Sequence, residues 1–176
     1  MRQLVIAPLL LLAAAAPVLA QRDPFLPTVA FVLTGDDDAK VLPVDRTHCV
    51  FSVGDPDRKM ETFYLNNIQV DRLVFNRSVR KNNVGEFPLT TVELHGNATV
   101  YESDETKEPL KEGAFDPALA RQMKKTDPNV FSAKPTRSHT TSNEHTLSIY
   151  TGDHERLVRA WKYIYANGCS GQKGPR

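Results

Sequence analysis

The sequence predicts an α+β domain: an antiparallel β-sheet, curled into a partial barrel and covered by a C-terminal α-helix. Three observations predict it. Apolar residues recur at alternate positions in residues 47–53, 61–68, 90–101 and 145–150, the period of a strand with one buried face. One late segment instead spaces Leu157, Ala160, Trp161, Ile164 and Tyr165 three and four residues apart, the apolar stripe of a helix. The two cysteines, Cys49 and Cys169, fall in the first of these strands and just past that helix.

Residues 1–20 read as a cleaved secretory signal. Arg2 gives a positive start, an apolar run extends from Leu4 to Ala16, Pro17 breaks it, and Val18-Leu19-Ala20 suits cleavage before Gln21. The run is shorter than the roughly 20 residues that span a bilayer. Gln21 rather than Cys follows Ala20, so no lipid-anchored cysteine is expected. Export implies a periplasmic or secreted protein and an oxidising compartment, and hence a Cys49–Cys169 disulfide. Loss of Arg2 with the leader takes the 22 basic residues to 21, equal to the 21 acidic ones. A neutral domain with no basic cluster is a poor partner for nucleic acid or an anionic membrane. No later segment is apolar enough to span a bilayer.

Residues 21–27, with Pro24 and Pro27, predict an extended arm. A single α+β domain is expected over 28–169. Its first element is a strand or buried apolar arm at 28–33, ended by Gly35-Asp36-Asp37-Asp38. Those acids lack the alternation, central glycine and distal glutamate of a calcium loop and read as a solvated turn. In 47–53, Cys49, Phe51 and Val53 share a face, and Gly54-Asp55-Pro56-Asp57 turns the chain. The strand at 61–68 is interrupted by Asn66-Asn67, and 70–75 is a third strand or the far half of one bent strand. Residues 82–85 read as a loop. Two alternating runs flank Gly96-Asn97, which predicts a hairpin with Val92 opposite Val100 and Leu94 opposite Ala98.

Residues 103–144 form a polar insertion. Asp116 and Pro117 start a short helix there, Asp127-Pro128 stops it, and 132–144 is expected to be a mobile loop. After the strand at 145–150, Asp153 caps the final helix and Asn167-Gly168 ends it. Residues 170–176 are expected to fray. This order of elements is similar to that of pleckstrin-homology-like folds, a likeness that implies a fold and no function.

No catalytic pattern is present. HExxH, GxSxG, CxxC and the phosphate-binding GxxxxGK[ST] are all missing. The acceptor patterns Asn76-Arg77-Ser78 and Asn97-Ala98-Thr99 matter only in a eukaryotic secretory route. Of the five histidines, His139 and His145 lie near Glu144 and are candidate binding residues. Trp161 sits on the apolar stripe and reads as core. Tyr163 lies off that stripe and is the candidate for an exposed contact. No cofactor or resident metal is expected. The resulting expectation is an exported, non-enzymatic domain that binds a small ligand or an envelope partner, with the 132–144 loop as a contact element. A small metal-dependent or hydrolytic enzyme using the His139 and His145 region is the alternative, and a structural envelope component is a third reading.

Overall fold

The computed structural model describes residues 23–132 and 134–174. The leader expected at 1–20 lies outside them. Among the described residues, eight antiparallel strands form two sheets, and three α-helices accompany them. The strands are β1 (Val41–Asp45), β2 (Val50–Asp55), β3 (Lys59–Tyr64), β4 (Val74–Asn82), β5 (Gly85–His95), β6 (Tyr101–Lys107), β7 (Thr136–Ser142) and β8 (Glu144–Ile149). The helices are α1 (Phe25–Thr34), α2 (Pro117–Thr126) and α3 (His154–Asn167). The α+β class and the closing helix hold. The strands divide between two sheets: one runs β1-β2-β3-β6-β7 and the other β4-β5-β8, and neither closes on itself as a barrel.

The two sheets share one bent framework. Three stretches of chain, 59–82, 85–107 and 136–149, run side by side, and each passes from one sheet to the other at the same level. Hydrogen bonds carry the pairing around the corner: Gln69 N–H to His95 O at 2.7 Å, Gly96 N–H to Asn143 O at 2.8 Å, Val100 N–H to Ser142 O at 2.9 Å and Tyr64 N–H to Val100 O at 3.0 Å. Asn66 and Asn67 do interrupt a strand, as one turn of 3-10 helix, and the strand resumes at Val74. Gly96 is required here by close approach. A Cβ on it would lie 2.6 Å from Asn67 O and 2.4 Å from a Val100 methyl.

The hairpin expected at Gly96-Asn97 does not form, because β5 and β6 belong to different sheets. Val92 pairs with Leu147 and Phe75 instead, and Leu94 pairs with His145. Alternation around a Gly-Asn pair marks a corner as readily as a hairpin, and partners distant in sequence decide which. The true hairpin joins β4 to β5 at Asn82-Asn83-Val84-Gly85, where Asn82 Oδ1 accepts from Val84 N–H at 2.8 Å and Gly85 N–H at 3.0 Å.

Residues 25–34 are helical, not an extended arm followed by a strand. Pro27 falls in the first turn, where the missing N–H would have no helical partner in any case. Asp23 Oδ1 accepts the Phe25 N–H at 3.0 Å, and Gly35 closes the other end by donating to Phe31 O at 2.8 Å. Val29 and Val32 favour a strand locally, but burial against α3 and β8 overrides that preference. Helices α2 and α3 begin where expected. Asp116 Oδ1 accepts from Ala118 and Leu119 N–H, and Asp153 Oδ1 from Arg156 N–H at 2.8 Å.

The expected mobile loop at 132–144 is largely strand β7, paired with β6 from Tyr101↔Ser142 to Lys107↔Thr136. Its sequence hides it because β7 is exposed along nearly its whole length and carries polar side chains on both faces. The segment between them packs on itself through Phe115 and Phe131, whose ring centroids lie 5.8 Å apart. The described tail is also held: Gln172 N–H donates to Ile68 O at 2.8 Å, and Asp71 accepts from Gly174 N–H at 3.0 Å.

The core lies where α1 and α3 meet the sheets, around Phe51, Phe63, Leu65, Ile68, Leu94, Ile149, Leu157, Trp161 and Ile164. Cys49 and Cys169 are bonded within it, with Cα atoms 5.7 Å apart, and tie the end of α3 to the start of β2. No helix among the described residues is long and apolar enough to cross a membrane.

Candidate functional site

The cleft between α1 and α3 is centred on Tyr163. Leu157, Trp161 and Ile164 turn inward from α3, which leaves Tyr163 half-buried at the flank of the helix that faces α1. On one side a hollow of about 370 Å³ is lined by Asp23, Phe25, Arg46, Tyr163, Asn167 and Gly168. On the other, a hollow of about 210 Å³ is lined by Thr28, Phe31, Asp37, Arg156, Arg159, Ala160 and Tyr163.

The two hollows repeat one chemical arrangement. In the first, Arg46 pairs with Asp23 and lies 5.8 Å from the Phe25 ring centre. In the second, Arg156 pairs with Asp37 and lies 4.0 Å from the Phe31 ring centre. A guanidinium over an aromatic face is favourable in itself. The Asp23 carboxyl is held below the ordinary carboxylate range, first by the Phe25 N–H and then by Arg46. All four charged partners are well exposed, and exposed ion pairs are weak in water. Tyr163, singled out by its position off the apolar stripe, is shared by both hollows.

His139 and His145 do not come together, and Glu144 joins neither in a common site. They lie on opposite faces of the framework, as the one-residue alternation along β6 shows. His145 stacks on Tyr101, with ring centres 3.7 Å apart and planes 9° apart, and meets the edge of Phe63. Tyr101 and Lys59 both donate to Glu61 Oε1, at 2.7 and 2.8 Å. Burial pushes His145 below its ordinary value, and Glu61 only partly offsets this. Burial raises the Glu61 carboxyl, but the hydrogen bonds from Lys59 and Tyr101 prevail and leave it lowered. The His145 imidazole thus packs against Tyr101 and Phe63, on the face away from His139.

His139 instead faces Asp104, its register partner on β6, with Nδ1 2.9 Å from Asp104 Oδ1 and 3.7 Å from Glu102 Oε1. The hydrogen bond to Asp104 holds the imidazole above its ordinary value. Tyr64, on the adjacent β3, donates its hydroxyl to Glu102 Oε2 at 2.6 Å. Its phenol is pushed up to about 12, chiefly by that bond. Among the described residues, Glu102, Asp104 and His139 are the group whose ligand atoms, all within 4.8 Å of one another, could hold a metal.

Sequence reasoning missed Asp23, Phe25 and Arg46 because their meeting depends on α1 being a helix. It missed Glu102 and Asp104 because a polar strand carries no apolar rhythm. The one usable signal was Tyr-Glu-Ser-Asp at 101–104, which places both acids on one face if the segment is extended. No protein-family model, curated protein or solved structure matches the chain.

Proposed function

We propose that this protein is an exported binding domain, working in the periplasm or outside the cell, that takes a small anionic ligand with a flat apolar body in the α1–α3 cleft. The observation that carries the reading is the paired arrangement of Arg46 over Phe25 and Arg156 over Phe31 on either side of Tyr163. The ligand's carboxylate or phosphate replaces an aspartate on the arginine, and its apolar body lies against the half-buried Tyr163. Export is supported by the N-terminal pattern of residues 1–20. A disulfide buried beside the cleft suits an oxidising compartment.

The test is an NMR titration of the oxidised mature domain with phenylacetate, phenyl phosphate and N-acetylated aromatic amino acids. Binding at or below about 1 mM that perturbs Phe25, Arg46, Tyr163 and Asn167, and that is lost in Tyr163→Ala and Arg46→Ala, supports the site. Perturbations confined to other surfaces, or none with any of these probes, refute it.

A further inference from the structure

We propose that Glu102, Asp104 and His139 form a divalent transition-metal site on the outer face of the larger sheet, with zinc as the fitting ion. The site is independent of the α1–α3 cleft and stands or falls without it. Glu102 and Asp104 are two apart on β6, so both project from one face. His139 is the cross-strand partner of Asp104 and projects from that face too. Three donors from two rigidly paired strands thus converge, with His139 Nδ1 2.9 Å from Asp104 Oδ1 and 3.7 Å from Glu102 Oε1. An ion bound at about 2.0–2.2 Å from each ligand fits such spacings after small side-chain rotations.

The donor set selects the ion. An imidazole with two carboxylates suits zinc and its first-row neighbours, whereas calcium and magnesium prefer oxygen alone. The support from outside the three donors is Tyr64, which belongs to a third strand. Its hydroxyl engages Glu102 Oε2 and leaves Oε1 turned toward His139. A hydrogen bond to the second oxygen of a ligating carboxylate is the usual means of fixing its orientation. The other oxygen-bearing cross-strand neighbours on the face, Thr62, Thr106 and Thr141, bring no further charge; Arg137 lies across from Thr106 at its far end. Three protein ligands leave positions open to water or to a ligand of the metal, and the exposed setting allows the ion to enter and leave.

Zinc is titrated calorimetrically into the oxidised, metal-free mature protein, with His139→Ala and Glu102→Gln in parallel and each variant's unfolding recorded first. The expected result is one zinc per chain, with affinity at least about tenfold lower in each variant. Cobalt added to the unaltered protein gives a second reading that needs no variant. It should shift the ring resonances of His139 before those of His48, His95, His145 and His154. No zinc binding up to about 1 mM, binding with unchanged affinity in His139→Ala, or cobalt shifts at another histidine first would each overturn the proposal.

Discussion

Removing the Cys49–Cys169 bridge perturbs the fold at one defined point, and its effect can be worked out from the structure. The bridge closes a loop of 120 residues. On the chain-entropy model, such a cross-link destabilises the unfolded state by about 4–5 kcal/mol. Position 49 also carries a backbone cost in the native state. Cys49 sits at φ 54°, in the left-handed region where a side chain costs about 1–2 kcal/mol. Serine at that position keeps the same backbone, so this cost cancels in the comparison and the expected loss is about 4–5 kcal/mol, or about 8–20 °C in melting temperature for a domain of this size. The assay is guanidinium unfolding of the oxidised protein against the Cys49→Ser, Cys169→Ser double variant. A second variant, Cys49→Gly with Cys169→Ser, isolates the backbone cost, because glycine adopts that φ freely. It should recover about 1 kcal/mol relative to the serine pair. A double-serine variant as stable as the oxidised parent would refute the loop argument. A glycine variant no better than the serine one would refute the backbone cost.

Two further predictions concern the cleft and the half-buried His145. In Gly168→Ala the new Cβ would lie 2.4 Å from the Phe25 ring, which forms part of the first hollow. Overpacking of this kind costs about 1–3 kcal/mol, so thermal unfolding should fall, and an unchanged melting temperature would contradict the packing described at the end of α3. His145 is held below its ordinary value by burial, so the unfolded chain binds more protons than the folded one as pH falls through and below about 6.5. Its contribution is therefore present above that pH and lost toward acid, and Glu61, also lowered, has the same sign at lower pH. Exposed His139, which is raised, has the opposite sign, so the comparison must be between the parent and His145→Phe. The variant should lose less stability than the parent between pH 7.5 and pH 5 (about one unit either side of the ordinary histidine value), and equal losses would remove the burial argument.

Elements built on local chemistry were legible in the sequence. The caps at Asp116 and Asp153, the stop at Gly168, the apolar stripe of α3 and the placement of Cys169 beyond it all depend on neighbours within a turn. The bend at Asn66-Asn67 was legible for the same reason. Elements that depend on distant partners were not. Residues 28–33 carry strand-forming valines yet form α1, because α3 and β8 offer an apolar trough that a helix fills. Thr136–Ser142 has no apolar alternation, so only its pairing with β6 reveals it as a strand. The candidate site divides along the same line. Tyr163 stood out by its angle on a helix whose stripe was plain. The Asp23, Arg46 and Phe25 set and the Glu102, Asp104 and His139 set arise from contacts between segments more than twenty residues apart.

The most direct test of the central claim, an exported and disulfide-stapled binding domain, is the intact mass of the protein expressed with its leader in an export-competent host. The mass is measured with and without reductant, followed by thiol alkylation. The account predicts a chain beginning at Gln21 that takes up alkylating reagent at Cys49 and Cys169 only after reduction. A full-length chain beginning at Met1, alkylated at both cysteines without reductant, would contradict it.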